Sequence, residues 1–332
     1  MPAEGEWKVG GLPSAYYGAL SLGMSGYPCY GSDIGGYRGG LSTEEVLLRW
    51  LELGIFHPVT QLGGGGSAHM PWVAGSPYSA DAVAVTRDYF KLRNQLTLYA
   101  FGELNKASQT GAPFVRSLWF EHPSLPEARA FDREFLFGPD LLVAPVTREG
   151  ESAVTLLLPP GGWFDWWSGA RFEGPATITV DAPIGRVPLF FREGAVLPLL
   201  DPRLHSLKPA SDPTVIGYDE LRDTEVLVAA TPTAKTLPNG VEVTVTAEPA
   251  ITVAVRFGAP AASSTEEDWF APDTVLVRLL LGGTGLADVG PATVFIIDGD
   301  SRQELAPSEW SFDATRRQLQ VRLTSDATLE VR

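Results

Sequence analysis

Cysteine is almost missing from this chain of 332 residues, where Cys29 is the single example. That excludes an intramolecular disulfide framework and leaves the redox compartment open. Histidine is sparse as well. His57, His69, His122 and His205 are scattered, with no Cys or His partner at i+2 to i+4, so no metal-ligand spacing exists. No metal and no cofactor are expected. A Gly-x-Ser-x-Gly elbow is absent, and so is a phosphate loop. Residues 63–66 are all glycine, but no Lys-Ser/Thr follows to hold a phosphate. No apolar run reaches the roughly 18 residues that a membrane span needs, so no membrane partner is expected. The first residues lack the basic region and apolar core of a signal peptide. Positive charge is short, with 25 Lys and Arg against 40 Asp and Glu and a net charge of −15. Phosphate would be repelled, which argues against nucleic acid. A neutral substrate such as a sugar is compatible with that charge.

What is present is apolar and turn-rich. Hydrophobic residues make up 44%, enough for packed cores, and 35 Gly, 27 Pro and 9 Trp supply turns and flat aromatic surfaces. The length suits two or three domains. Residues 25–37, Ser-Gly-Tyr-Pro-Cys-Tyr-Gly-Ser-Asp-Ile-Gly-Gly-Tyr, organise the rest. An apolar and aromatic run, 27–30, leads to the carboxylate of Asp33 and then to Gly35-Gly36. A strand that stops at an acid before glycines reads as a barrel strand feeding an active-site loop. The plain alternative is an Asp that turns the chain for backbone reasons.

Around this stretch helices and strands alternate. Pro13 opens a helix that Gly23 stops. Ser42 and Glu45 have capping-box spacing ahead of Val46, Leu47, Trp50 and Leu51, which share one helical face. Residues 55–61 form the next strand, running into the glycine run. A long helical pattern covers 81–106, until Gly111 and Pro113 end it. Alternation of this kind predicts βαβ units with parallel pairing. A complete barrel takes about 250 residues, and only the first 110 or so here carry the pattern. From Pro113 onward helical periodicity disappears. Short strands are predicted at 154–158, 176–180 and 187–191, separated by Pro159-Pro-Gly-Gly162 and closed by Arg192-Glu-Gly194. A polar, Pro-containing stretch at 201–213 marks a boundary. A second strand set follows at 225–229, 241–247, 251–257, 274–281, 293–298, 318–323 and 328–332. Alternation is clear in Val241-Glu-Val-Thr-Val-Thr246. The expected architecture is α/β plus all-β: an incomplete (β/α)8 barrel made of last βα units (1–110), then two antiparallel β-sandwich domains (111–200 and 201–332).

Sugar-compatible groups cluster in the first third. Asp33, Tyr37 and Arg38 follow one strand, Gln61 closes the next, and His69 and Trp72 come after the glycine run. Carboxylate, amide, imidazole and indole suit a polyol, by hydrogen bonds to hydroxyls and stacking on the apolar sugar face. His69 reads equally as a solvated loop histidine. Trp50 reads as helix core, and Trp163, Trp166 and Trp167 read as sandwich packing rather than a sugar platform.

Residues 25–37 resemble the late barrel strand of glycoside hydrolase family 31, the α-glucosidase and α-xylosidase family. Further matches follow in order: Leu48-Arg-Trp50, Phe56-His-Pro58, Gly111-Ala-Pro-Phe-Val-Arg116, Phe137-Gly-Pro-Asp-Leu-Leu-Val-Ala-Pro-Val146, Leu157-Leu-Pro-Pro-Gly-Gly-Trp163 and Val187-Pro-Leu-Phe-Phe-Arg-Glu-Gly-Ala-Val-Leu-Pro198. Together they span about residues 12–200. The resemblance implies a retaining mechanism with two Asp residues about 5 Å apart across the bond. Neither of the family's catalytic Asp motifs is present, so the catalytic residues of this chain are unknown. Glu4 and Glu6 stand near the place of the second but do not match it. By resemblance Asp33 is the ligand for the glycone hydroxyls and Tyr37 shapes the pocket. The family's Arg-x-His after the last strand reads Gln61-Leu-Gly63 here, and His69 is a substitute from the loop. These points predict the C-terminal portion of an α-glycosidase acting on α-linked glucosides or xylosides. An upstream barrel half, missing here, is then the partner that carries the catalytic pair. The alternative is a carbohydrate-binding or structural β-sandwich module without catalysis. A third reading, a complete enzyme pairing Asp33 with Glu4 or Glu6, requires an unanchored tail to hold a reactive carboxylate.

Overall fold

The computed structural model describes residues 7, 10–37, 40–63, 70–208, 211–218, 221, 223–248, 250–257, 272, 274–281, 284, 291, 293–298 and 301–332. Helix α1 (Leu12–Met24) carries Pro13 in its first turn, where the lost N–H has no helical partner in any case. It buries Leu12, Ala15, Tyr16 and Ala19. Strand β1 is Asp33–Ile34 and strand β2 is Gln61–Leu62. They pair in parallel, as the alternation predicts, with Asp33 opposite Gln61.

Both strands are shorter and start later than the sequence suggests. The chain at 27–32 meets its neighbour through a backbone bond from Val59 N–H to the Tyr30 carbonyl, but forms no ladder before β1. Residues 55–57 instead continue the turns of the preceding helix, with the N–H groups of Ile55, Phe56 and His57 bonded to Leu51, Leu53 and Gly54. The Arg93 guanidinium holds the carbonyls of Ile55, His57 and Pro58 at 2.8–2.9 Å. Backbone groups engaged in this way are not available to a strand partner.

Helix α2 (Glu44–Gly54) is capped by Thr43, whose Oγ1 accepts from Val46 N–H. The expected capping box does not form. Ser42 Oγ meets the Tyr78 hydroxyl, and Glu45 accepts from the N–H of Gly150. The single long helix expected over 81–106 is two, α3 (Ala80–Gln95) and α4 (Thr97–Thr110), broken at the fully buried Leu96. Gly111, at φ +73°, ends α4.

The remainder is mostly strands. First come β3 (Val115–Ser117), α5 (Leu118–Glu121), a 3-10 turn at Pro126–Arg129, β4 (Phe135–Phe137), β5 (Leu141–Val143), β6 (Ala153–Asp165), β7 (Arg171–Asp181) and β8 (Leu189–Arg192). They form one sheet in the order β3-β4-β5-β8-β6-β7. The Pro-Pro-Gly-Gly segment expected to separate strands lies inside β6. Gly161 (φ +106°) absorbs the irregularity. Gly174 lets β7 approach so closely that a Cβ there would sit 1.9 Å from the Pro159 carbonyl oxygen.

Next come β9 (Val196–Leu200), β10 (Asp223–Ala229), β11 (Thr233–Thr236), β12 (Val241–Thr246), β13 (Ile251–Phe257) and β14 (Thr274–Leu280). The last are β15 (Val294–Asp298), β16 (Ser301–Glu304), β17 (Trp310–Asp313), β18 (Gln318–Leu323) and β19 (Ala327–Val331). Two sheets result, β17-β18-β14-β10-β9 and β11-β12-β13-β19-β15-β16. One core of mostly valine is shared between them, including Val226, Val228, Val243, Val253, Val277 and Val321. This is a sandwich, but not a wholly antiparallel one. Strand β10 pairs with β14 in parallel, Asp223 opposite Thr274. The chain leaves β10, builds β11 to β13 in the other sheet and then returns, and such a crossover is what parallel pairing requires.

The chain divides into two compact units. One is residues 1–93 with 103–161 and 173–190. The other is 94–102 with 162–172 and 191–332.

Candidate functional site

The site lies in the first unit, where β1 and β2 end. Register places Asp33 opposite Gln61. The Gln61 amide donates from Nε2 to Asp33 Oδ1 at 2.7 Å. Two of the residues singled out in the sequence are thus in direct contact. Gly63 lies beside both, since a Cβ there would stand 3.5 Å from Gln61 Nε2 and 3.8 Å from Asp33 Oδ1. After Asp33 the chain turns through Gly35 and Gly36, both near φ +84°, with Gly36 N–H bonded back to the Asp33 carbonyl. A residue with a Cβ would strain that turn.

Asp33 faces a cavity of about 280 Å³. That is just below the usual range for ligand sites, roughly 300–1,000 Å³. Its wall includes Ser14 and Ala15 of α1, then Tyr30, Ser32, Tyr37 and Trp50. Trp50 is buried in α2, as its helical face predicts, but its indole also donates to Ser32 Oγ at 2.8 Å. It therefore fixes the residue just before Asp33. Gly54 at the end of α2 lets the helix close on β1, because a Cβ there would lie 2.6 Å from Ile34 Cγ1. Gly31 brings the two loops together. A Cβ on it would stand 2.0 Å from the Val59 carbonyl oxygen. Tyr37 stays half exposed at the rim.

Behind the wall sits His57. Its ring tilts against Tyr30 at 5.6 Å between centroids, and neither ring nitrogen has a hydrogen-bond partner among the described residues. Burial, helped by the Arg93 charge, pushes its pKa down to about 3. The imidazole is therefore neutral and acts as packing, not as an acid or base. Burial, and next the Asp33 carboxylate, push the Tyr30 hydroxyl above the usual tyrosine range, so it remains a protonated donor.

The chemistry available is that of a polar rim: one carboxylate, one amide, hydroxyls and an indole. Among the described residues lining the cavity, Asp33 is the single acid. No group of three or more His, Cys, Asp or Glu among the described residues could hold a metal ion. His69, Arg38, Glu4 and Glu6 lie outside the described residues. Trp72 is exposed and does not line the cavity. Trp163 and Trp166 are buried, as packing residues. The sequence reading missed Ser14, Tyr30 and Ser32. The place of Tyr30 and Ser32 in the stretch 25–37, just ahead of Asp33, was a signal for two of them, and Ser14 had none.

Residues 6–102 match the glycosyl hydrolases family 31 TIM-barrel domain, and residues 111–197 match the glycosyl hydrolase family 31 C-terminal domain. The chain is 32% identical over 203 residues to an isomaltosyltransferase of Sporosarcina globispora, covering 58% of this chain and 18% of that protein. It is 32% identical over 190 residues to an α-xylosidase of Emericella nidulans, covering 55% and 24%. It thus spans about a quarter or less of these two relatives. Its fold resembles that of a Flavobacterium johnsoniae dextranase solved with glucose, at TM-score 0.75 and 23% identity, covering 97% of this chain and 42% of that one.

Proposed function

Because the chain belongs to glycoside hydrolase family 31, we propose that it is the C-terminal portion of a retaining α-glycosidase acting on α-linked glucosides or xylosides. In this reading residues 1–110 are the last βα units of a (β/α)8 barrel. Residues 111–200 are a proximal β domain, expected as a sandwich but built on the single sheet β3-β4-β5-β8-β6-β7, and 201–332 are a distal β-sandwich whose first sheet also takes in β9. Asp33 binds glycone hydroxyls with Tyr37, Gln61 and His69 around it. The nucleophile and the acid/base belong to complementary barrel strands outside these residues. The observation that carries the reading is Asp33, bonded to Gln61 across two parallel strands and facing a cavity in which, among the described lining residues, it is the single acid. A retaining site needs two carboxylates roughly 5 Å apart, so this cavity can recognise a sugar without cleaving it.

The test is turnover of an aryl α-glucoside. The 332-residue chain alone is expected to give none, and the chain joined to the complementary barrel strands is expected to hydrolyse it. Turnover by the chain alone, or none by the joined protein, would refute the proposal.

A further inference from the structure

We propose that Ser32 is a further sugar-binding residue of this site, a hydrogen-bond donor that Trp50 holds in place. The proposal rests on the reading of the Asp33 cavity as a glycone site. Its own ground is the contact between Trp50 and Ser32, which both line that cavity. The indole donates from Nε1 to Ser32 Oγ at 2.8 Å. An indole N–H is a donor only, whereas a hydroxyl has one proton to give and two lone pairs to offer. In this bond the serine oxygen is therefore the acceptor, and its own proton stays uncommitted. Among the described residues the Ser32 side chain makes no other hydrogen bond. A serine hydroxyl without such a partner turns freely and serves as donor or acceptor alike. With one lone pair held by the indole, Ser32 is set to donate.

Trp50 can hold the hydroxyl because it is itself fixed. It is 4% exposed, in the middle of α2. A site residue braced by a packed helix keeps its geometry better than one left to a loop. Asp33 follows Ser32 directly and lines the same cavity. A carboxylate only accepts. The cavity thus sets one donor beside one acceptor. Two neighbouring hydroxyls of a sugar complement that pair. One gives its proton to Asp33, and the oxygen of the other accepts from Ser32. Trp50 acts on the sugar through Ser32 and is a positioning residue, while Ser32 is the ligand.

The experiment is an NMR titration of the full chain with methyl α-glucoside, run as a double-mutant cycle, with a thermal midpoint for each variant. Ser32→Ala is expected to weaken binding about fivefold to tenfold, the loss of one hydrogen bond, with a midpoint within about 2 °C of wild type. Its Trp50 indole N–H resonance is expected to move upfield even without sugar, because the acceptor is gone. Trp50→Phe is expected to weaken binding by a smaller factor, since the serine keeps its proton but loses its direction. The double variant is expected to bind within about twofold of Ser32→Ala alone, because the two act as one unit. Wild-type affinity in Ser32→Ala, or an indole resonance that does not move, would overturn the proposal, and neither result needs Trp50→Phe to fold. Fully additive losses would overturn the positioning role of Trp50. If Asp33→Asn still abolishes binding in those cases, the glycone site stands without Ser32. Absence of binding by the wild type would overturn both.

Discussion

At the residue scale, the site depends on contacts that allow no Cβ. Gly31 is the sharpest case. Its missing side chain would stand 2.0 Å from a backbone oxygen, and a backbone atom cannot swing aside as a flexible side chain can. Gly31→Ala is expected to destabilise the fold by about 1–3 kcal/mol, as overpacking does. It should also part the loops that carry Tyr30 and Val59. Thermal unfolding of the variant checks this, and a midpoint equal to wild type would show that the close approach carries no weight. The cavity positions of Asp33 and Tyr37 were legible in the sequence because acid and aromatic follow a predicted strand, whereas Gln61, at the end of the next, touches Asp33 without lining the cavity. Ser14 was not legible, because nothing local in a helical first turn says that it faces a cavity. Trp50 was half legible. Helical periodicity put it in the core, while its bond to Ser32 joins residues eighteen positions apart and has no sequence signal.

At the element scale, helices are tied to strands by buried charges. Arg49 donates to Glu52 at 2.9 Å and to the carbonyls of Glu151 and Ala182, while Glu52 accepts from Gly185 N–H at 2.7 Å. The Leu48-Arg-Trp50 motif thus anchors α2 to the segments bordering β6 and β7. Removing either partner leaves a buried charge without its counter-ion, a change of roughly 3–5 kcal/mol in comparable pairs. Glu134 is a different device. Both of its carboxyl oxygens lie 3.0 Å from Leu157 N–H in β6, and burial pushes its pKa up to about 8. A carboxyl raised in the folded state prefers its proton there. The stability it supports is full below the ordinary glutamate range and is lost as pH rises toward about 8. Glu134→Gln keeps an acceptor for Leu157 and does not titrate. Its unfolding midpoint is therefore expected to fall less than wild type between mildly acid and mildly alkaline pH, with the variant the more stable form at the alkaline end. Parallel midpoint curves would contradict that assignment. Helix starts and strand lengths were the less legible part at this scale. Thr43 and Ser42 are equally good caps by type, and tertiary bonds to Tyr78 and Gly150 decided between them.

At the scale of the whole molecule, the valine sandwich was legible wherever alternation was strong. Strand β12 reads buried and exposed in strict turn from Val241 to Thr246, as its sequence predicts. The parallel pairing of β10 and β14 was not legible, because the connection runs through another sheet and pairing partners leave no local mark. In the first unit, Asp33 is the single acid among the described residues that line the cavity, and the proposed role of that cavity is recognition. Saturation-transfer NMR of the chain with an aryl α-glucoside reports binding and cleavage in one spectrum. We expect transfer to the glycone protons that vanishes in Asp33→Asn, with no free sugar released. Accumulating free sugar, or equal transfer in the variant, would contradict the account.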